Sequence, residues 1–309
     1  MDRSETAATT PLARAERFVW LTARVLEQHR FAYHFLGGQA GPVETALAAY
    51  ERDDGGYGYG LEPDLRGPVS QPLPTLHALR VLDGIGRCGG ARVERICRFL
   101  TEIAGPDGAL PALLPTQRDY PAAPWLPVRE HPPSELLATG PVVGLLHRNE
   151  VWHAWLFRAT DFCWAAVESL ADGAATHPYE VVAAVSFLDG APDRPRAEAL
   201  AERLGQRVRQ QELLVLDPDR AAGHPVPDGY APGEHHFPHD VARTPGSVAR
   251  RWFTGDEMKR SLDHLTALQD EDGGWPIRWR GWAPGTALEG RPMVTLDALL
   301  TLRAYDRLD

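Results

Sequence analysis

Apolar residues recur at helical spacing along most of this chain, and the predicted helices are of two kinds. The segment from Leu73 to Ile85 is apolar on several sides, which is typical of a buried helix, and Pro178 to Leu188 has the same character. The segment from Arg92 to Ala104 carries one apolar stripe, which is typical of a helix with one face in solvent. No segment shows the alternation expected of a strand. The pattern predicts an all-α fold in which buried and one-sided helices form two layers.

Further apolar stripes, separated by glycine and proline, predict the remaining helices. These span Leu12–Phe35, Pro42–Tyr50, Ser134–His147, Val151–Leu170, Arg194–Leu214, Met258–Leu268 and Pro292–Tyr305. Residues 58–70, 105–133 and 217–250 are irregular by the same test, and residues 1–10 are polar. Because no segment has the composition of a linker, we expect a disordered tail over residues 1–10 and one domain over residues 11–309.

A turn made of Asp-Gly-Gly and an aromatic residue follows two of these helices. Asp54-Gly55-Gly56-Tyr57 matches Asp272-Gly273-Gly274-Trp275, and the helix after each turn carries Thr-Leu-x-Ala-Leu, at residues 75–79 and 295–299. A weaker copy of the turn is Asp107-Gly108. Repeated units of helix, turn and helix are typical of stacked or ring-like helical architectures.

The repeat resembles sequences of two known families. Leu268-Gln269-x-x-Asp272-Gly273-Gly274-Trp275 resembles the QW-type repeat of terpenoid cyclases, and the turn followed by Thr-Leu-x-Ala-Leu resembles the internal repeat of protein prenyltransferase β-subunits. The resemblance covers roughly residues 40–110 and 255–306. It implies an α/α toroid, in which inner and outer helices alternate around a central cavity, with active-site groups near the starts of the inner helices.

Composition and charge narrow the class of protein. The chain of 309 residues has a net charge of −10 and no basic stretch with interleaved aromatic residues, so we expect no nucleic-acid partner. Three cysteines argue against a disulfide framework. No apolar run approaches the ~20 residues of a membrane-spanning helix, and residues 1–10 lack the apolar core of a signal peptide. We therefore expect a cytoplasmic protein with no membrane span.

The first candidate site is the segment Glu62-Pro63-Asp64-Leu65-Arg66, between the first turn and the buried helix. Two carboxylates and a guanidinium at this place are suited to acid–base catalysis or to binding a polar ligand, so Glu62, Asp64 and Arg66 are the candidate catalytic residues. The alternative is structural, with the carboxylates capping the next helix and Arg66 paired to one of them.

Aromatic residues supply the candidate contacts with a ligand. Trp279 and Trp282 follow the last turn, and Trp155 lies on a predicted helix together with Trp152 and Trp164. Such rings suit isoprenoid chains, carbocations or sugar faces, although core packing explains a single tryptophan equally well. The long irregular segment before the last turn adds two further candidates for binding substrate, Tyr230 and His236, in a lid.

Metal ligation has two candidate motifs, and we interpret neither as a metal site. The cluster around His235, His236 and His239 contains Pro238, which should prevent a regular helix from presenting the rings on one face. Asp161-x-Cys163 resembles a zinc pair of protein prenyltransferases, but it lies inside a predicted helix with no Gly-Gly turn before it. We interpret Cys163 as a buried small hydrophobic residue and expect neither metal nor cofactor.

The sequence supports three functions of different kinds. The first is an enzyme resembling terpenoid cyclases or prenyltransferases, which acts on a hydrophobic or isoprenoid-like small molecule in the central cavity. The second is a glycan-active α/α-barrel enzyme, for which carboxylates and tryptophan platforms are equally suitable. The third is a binding scaffold without catalysis. The fold alone does not choose among them.

The absence of a metal is directly testable. We expect the purified protein to hold no stoichiometric zinc, because no histidine follows the last turn, where the chain has Arg291-Pro292-Met293. Elemental analysis measures this. About one zinc per chain, lost in the His235→Ala and His239→Ala variants, would contradict the expectation.

Overall fold

The structure is a computed structural model that describes residues 10–308. In this part of the chain every regular element is helical, and the β-type pairings are isolated bridges such as that between Leu65 and Ala122. The predicted all-α class is confirmed. The predicted tail over residues 1–10 lies outside the described residues except for Thr10, whose side chain accepts a hydrogen bond from the Ala13 N–H and caps the first helix.

The helices are numbered in chain order. They are α1 (Pro11–Thr22), α2 (Val25–Phe35), α3 (Ala40–Ala48), α4 (Pro72–Gly84), α5 (Gly90–Ile103), α6 (Leu136–Arg148), α7 (Trp155–Ala171), α8 (Pro178–Gly190), α9 (Arg194–Gln210), α10 (Pro238–Val241), α11 (Gly255–Ala267) and α12 (Thr286–Ala304). Short 3₁₀ helices occupy Pro115–Asp119, Pro218–Gly223 and Val248–Trp252. None of the described helices is both long and apolar enough to cross a membrane.

The chain divides into two compact units. Unit 1 contains the residues up to Ala46 and those from Leu214 onward, and unit 2 runs from Leu47 to Leu213. No linker in the sequence marks this division, because one unit is assembled from both ends of the chain. The expectation of one domain over residues 11–309 remains a prediction.

Unit 2 contains two rows of helices. The row of α4, α6 and α8 is buried along most of its length, whereas α5, α7 and α9 bury one face and expose the other. Within the rows α4 packs on α6 and α6 on α8, and α7 packs on both α5 and α9. The two kinds of helix predicted from apolar patterning are therefore present, and each kind forms its own layer.

Unit 1 is built around a core of aromatic and aliphatic side chains. Helices α1, α2, α11 and α12 contribute to it, with Phe18, Phe31, Leu265, Trp275 and Leu299 among its buried residues. The Trp275 ring is 1% exposed, and its N–H donates to the Leu265 carbonyl oxygen at 2.7 Å. The aromatic residue of the last turn thus lies in the core of unit 1, as its position after Gly-Gly predicted.

The repeated turn is held by the same three hydrogen bonds each time. The Asp54 carboxylate accepts from the Gly56 N–H at 2.9 Å, and the Arg52 N–H donates to the Gly56 carbonyl oxygen at 2.9 Å. The third bond joins the turn to α4, because the Tyr57 N–H donates to the Thr75 hydroxyl at 3.1 Å. The last turn has equivalent bonds, including one from the Trp275 N–H to the Thr295 hydroxyl at 2.9 Å.

The weaker copy at Asp107 forms the same turn. The Asp107 carboxylate accepts from the Ala109 N–H at 3.0 Å, and the Leu110 N–H donates to the Thr139 hydroxyl at 2.8 Å. Thr139 occupies on α6 the place that Thr75 occupies on α4. The degenerate repeat predicted from Asp107-Gly108 is therefore confirmed, with a longer loop before the threonine.

The first glycine of each turn is required by two constraints. Gly55, Gly108 and Gly273 have φ of 87°, 82° and 94°, which L-residues avoid. A Cβ on Gly273 would also collide with the backbone of Arg14 on α1, and one on Gly55 with the backbone of Arg95 on α5. Each turn therefore packs against a one-sided helix at the same time as it bonds a buried one.

One predicted helix is divided in two. Leu12–Phe35 was expected to be continuous, but Ala23 and Arg24 are extended, with ψ of 153° and 157°. The Arg24 guanidinium pairs with Glu27 at 2.9 Å, and the Glu27 side chain is fully buried. This buried ion pair fixes the start of α2, a tertiary effect that periodicity does not show.

Three helix starts differ from the sequence prediction. Helix α7 begins at Trp155, so Trp152 lies outside it, and Trp152, Trp155 and Trp164 do not share a helix face. Helix α12 begins at Thr286 and contains Pro292, which was expected to begin it. Ser134 does not cap α6, because Glu135 is the capping residue and the Ser134 hydroxyl donates to Asp107 at 3.3 Å.

The threonine bonds predict a stability effect. Thr75→Val, Thr139→Val and Thr295→Val each keep the side-chain shape but leave a buried turn N–H without its acceptor, so we expect each to lower the free energy of unfolding by about 1–3 kcal/mol. Chemical denaturation measures this. Thr101→Val is the matched control, because its exposed hydroxyl bonds only to the Cys97 carbonyl oxygen of its own helix, and it should change stability by less than about 0.5 kcal/mol. Equal effects at Thr75 and Thr101 would contradict this account.

Candidate functional site

Helices α6 and α8 run parallel and in close contact. Gly140 lies against the Ala183 carbonyl, and one turn later Gly144 lies against Ser186 and Gly190. The contacts move toward the C-terminal end of both helices together, so α6 and α8 run in the same direction. The small residues permit this approach, and it places the N-terminal ends of α6 and α8 at the same end of unit 2.

Helix α4 has the same direction as α6. At their C-terminal ends the Asn149 amide donates to the Asp83 carboxylate at 2.7 Å. At their N-terminal ends both helices are hydrogen-bonded to the segment of residues 110–114. The Leu110 carbonyl oxygen accepts from the Glu135 N–H at the start of α6 at 3.0 Å, and the Gln71 side chain at the start of α4 accepts from the Leu114 N–H at 2.7 Å. The starts of α4, α6 and α8 therefore lie at one end of unit 2.

An acid–base pair lies at the start of α4. The buried His77 ring has its Nδ1 3.5 Å from the Glu62 Oε2, which belongs to the preceding loop. The Glu62 side chain keeps 24% exposure. A carboxylate beside an imidazole is an arrangement suited to moving a proton, and Glu62 is the member that solvent or a ligand reaches.

A second group of titratable residues lies at the starts of α6 and α8. Glu135 occupies the N-cap position of α6, and on α8 the Glu180 carboxylate is 4.0 Å from the His177 Nε2. Burial raises the pKa of Glu135; Arg129 lowers it and Glu180 raises it further. A carboxyl that holds its proton above the ordinary pKa is suited to general acid catalysis.

Asp64 and Arg66 are braced within their loop. The Asp64 Oδ2 accepts from the Trp125 indole N–H at 3.3 Å, and the Arg66 guanidinium donates to the carbonyl oxygens of Pro63 and Leu65, each at 3.1 Å. The buried Gln117 side chain donates to the Arg66 carbonyl oxygen at 2.7 Å. Arg66 is thus bonded to the backbone of its own loop.

Two further groups have structural roles. Glu51, which precedes the first turn, forms ion pairs with Arg92 and Arg95 of α5. Cys163 is fully buried, as expected, and burial raises the pKa of its thiol. Neither group is positioned for chemistry at the starts of α4, α6 and α8.

Trp155 is a packing residue in the structure. Its side chain is 2% exposed, and its indole N–H donates to the Gly108 carbonyl oxygen at 2.9 Å. It therefore fastens α7 to the middle copy of the turn. The expected contact between Trp155 and a substrate does not fit this burial, because every face of the ring is covered by unit 2.

The other predicted aromatic contacts belong to unit 1. Trp279 and Trp282 are half-buried, and the Trp279 ring lies against Gly290 of α12, 3.4 Å from where a Cβ would be. Tyr230 is half-buried, and its ring meets the buried ring of His236 edge-on, with 5.9 Å between centroids. Their role in binding a ligand remains a prediction.

The histidine cluster of unit 1 forms a closed network. Pro238 begins α10 and does not prevent a helix, because proline is tolerated in the first turn. The Ser261 hydroxyl accepts from the His239 N–H at 3.1 Å and contacts the His239 Nδ1 at 2.7 Å. Burial lowers the pKa of His239 to about 4. Asp240 forms a bidentate ion pair with Arg278, one contact being 2.9 Å.

This network resembles a serine–histidine–aspartate catalytic triad, but it is buried where a substrate does not reach it. Ser261 is fully buried and His239 is 3% exposed, whereas an acyl-transfer nucleophile must meet its substrate. Burial would raise the pKa of Asp240, but the Arg278 guanidinium holds it below its ordinary value. The network therefore fastens the long loop of unit 1. Among the described residues no group of three or more His, Cys, Asp or Glu side chains has a geometry that could hold a metal ion.

Sequence reasoning identified Glu62 but not His77, Glu135, His177 or Glu180. A signal for one of these residues, Glu135, was present in the repeat. The turn threonines Thr75 and Thr139 each lie four residues after the residue that caps their helix, so aligning them assigns Gln71 and Glu135 to equivalent places. The parallel packing that gathers α4, α6 and α8 was not visible in the sequence.

Comparison with known proteins shows a shared fold and no family. No protein-family model matches the chain, and no curated protein matches it significantly. A crystal structure of a protein from Actinoplanes aligns with 96% of this chain and 89% of its own, with a TM-score of 0.53 and 18% sequence identity. At that identity the similarity concerns the fold alone.

The raised pKa of Glu135 predicts a pH-dependent stability effect. Its folded-state pKa is above the ordinary value of 4.5, so the folded protein favours the protonated carboxyl, and stability is lost as the pH rises from 4.5 through the folded-state pKa. We expect Glu135→Gln to unfold at higher urea concentration than the parent at pH 8, and we expect the difference to disappear as the pH falls through the folded-state pKa to 4.5.

Glu130→Gln is the control, because Glu130 is an exposed glutamate of the same segment, and it should shift neither midpoint. A Glu135→Gln variant that is no more stable than the parent at pH 8 would show that burial does not disfavour the ionised carboxylate.

Proposed function

We propose that this protein is an enzyme resembling terpenoid cyclases and prenyltransferases, and that it acts on a hydrophobic or isoprenoid-like small molecule by acid–base catalysis. The observation that carries the proposal is the gathering of Glu62, His77, Glu135 and Glu180 at the starts of three parallel helices. The families that the repeat resembles have active-site groups at the starts of their inner helices, in an α/α toroid, which is part of the proposal.

Glu135 is the proposed general acid. Its raised pKa keeps a larger protonated fraction near neutral pH than an ordinary glutamate has, and proton donation to a carbon–carbon double bond or a leaving oxygen requires that form. Glu62 is the proposed base, since its carboxylate is the member of the pair that a ligand reaches, and the buried His77 ring beside it holds that carboxylate in place. The helix bodies behind these groups are apolar, as a hydrophobic substrate requires.

A glycan-active enzyme is the second candidate, on one specific observation. Glu135 and Glu180 are two carboxyl groups near enough for one to raise the pKa of the other, and glycoside hydrolysis uses such a pair as acid and base. The exposed Trp125 indole on Asp64 would add a stacking surface. The first candidate is preferred because the helices behind the carboxylates carry apolar side chains.

Substrate panels distinguish the two candidates. The purified protein is incubated with farnesol, geranylgeraniol and their diphosphates, and separately with oligosaccharides, and products are identified by mass spectrometry. We expect turnover of a member of the isoprenoid panel, reduced about 10²–10⁴-fold in Glu135→Gln and Glu62→Gln, with melting curves that show both variants folded. Glu130→Gln should retain full activity.

Asp64→Asn and Arg66→Gln test the sequence-based prediction that Asp64 and Arg66 are catalytic residues. Because Arg66 is bonded to its own loop, we expect Arg66→Gln to lower the melting temperature and to affect the chemistry only indirectly. Asp64→Asn keeps an oxygen that accepts from the Trp125 indole N–H.

Full turnover by Glu135→Gln, or turnover of oligosaccharides alone, would overturn the proposed isoprenoid activity.

A further inference from the structure

A cleft opens at the other end of unit 2 from the starts of α4, α6 and α8. It has a volume of about 470 Å³ and lies between the beginning of α5 and the connection that follows α6. Its polar lining comes from Glu94, Asn149 and Glu150, and its aromatic lining from Trp152, while glycine, alanine and valine form the rest. The size is within the range of small-molecule sites.

Trp152 presents an open aromatic surface to this cleft. Its side chain is 83% exposed, the largest exposed fraction among the large exposed hydrophobic residues of the described chain. Phe157, itself 60% exposed, holds the indole from the side, with the rings at 89° and their centroids 5.6 Å apart. Because that contact is edge-on, it fixes the orientation of Trp152 and leaves indole surface uncovered. Exposed aromatic surface beside a cleft is typical of a binding site.

The charge of the lining selects the kind of ligand. Glu94 and Glu150 are both exposed, and among the described residues that line the cleft there is no lysine, arginine or histidine. The nearby Arg148 is directed to Asp83, with which it forms an ion pair. An anion would therefore meet two carboxylates without a cationic side chain lining the cleft, whereas a cation would meet complementary charge.

We propose that this cleft binds an organic cation, with an alkylammonium group over the indole of Trp152 and the carboxylates of Glu94 and Glu150 around it. The negative face of an indole attracts an ammonium group, and tryptophan is the strongest of the aromatic side chains in this role. The cleft exceeds the size of an ammonium group, so the ligand has an apolar body that lies along the glycine and valine wall. This site is separate from the acid–base cluster and does not depend on the proposed function.

The backbone at Glu150 supplies a sharp test. Glu150 follows the capping residue of α6 with φ of 55°, and its N–H donates to the His147 carbonyl oxygen at 3.0 Å. Glu212 follows α9 with the same geometry, at φ of 51°, and Gly86 occupies the equivalent place after α4. Glycine adopts this conformation without steric cost, so replacing either glutamate by glycine relieves strain, but only Glu150 lines the cleft.

The binding experiment uses choline and its neutral isostere 3,3-dimethylbutan-1-ol as probes, titrated into the full-length protein and followed by calorimetry. We expect saturable binding of choline, at least about tenfold weaker binding of the neutral probe, and weaker choline binding at higher salt. Trp152→Ala should lose about tenfold or more in affinity with an unchanged melting temperature, because the side chain is almost wholly in solvent.

The matched pair of glycine variants separates binding from folding. Glu150→Gly and Glu212→Gly should both raise the melting temperature, by about 1–3 °C, and only Glu150→Gly should weaken choline binding. Equal affinity of the two variants, undiminished binding by Trp152→Ala, or equal binding of the charged and neutral probes would overturn the proposal. Trp152-dependent binding of oligosaccharides in place of choline would assign the cleft to sugars and overturn it too.

Discussion

The structure depends on one hydrogen bond that occurs three times, between a turn N–H and the hydroxyl of a threonine on the following buried helix. Thr75, Thr139 and Thr295 each accept this bond, at 3.1, 2.8 and 2.9 Å. A buried N–H requires a partner, and a threonine on the helix supplies one without adding charge to the core. The bond fixes the starts of α4 and α6, where Thr75 and Thr139 lie four residues after the N-cap residue, whereas Thr295 joins its turn to the middle of α12.

The positions of the titratable side chains at the candidate site depend on these bonds and on the helix packing. The bond to Thr139 fixes the start of α6 and hence Glu135, and the parallel contact through Gly140 and Gly144 brings the start of α8, with His177, to the same end of unit 2. Carboxylates at helix N-termini are stabilised by the helix dipole, yet burial disfavours their charged form. For Glu135 burial prevails, and the raised pKa is the property on which the proposed acid role rests.

Particular elements show where sequence reasoning succeeded and where it could not. Periodicity identified α4, α5, α8 and α11 within two or three residues, because each has a continuous apolar pattern. It joined α1 to α2, because the break at Ala23 depends on the buried pair of Arg24 and Glu27. It also extended α7 over Trp152, which instead lies in solvent beside the cleft that Glu94 and Glu150 line.

The sequence by itself determined the all-α class, the alternation of buried and one-sided helices and the repeated turn, because these depend on local spacing, on glycine at positive φ and on apolar periodicity. It also placed Glu62 near a helix start. The tertiary structure alone decided that His77 meets Glu62, that burial, with Glu180 nearby, raises the pKa of Glu135 and that Arg66 braces its own loop. These contacts join residues whose proximity arises when helices pack in parallel, and spacing along one chain segment carries no information about that packing.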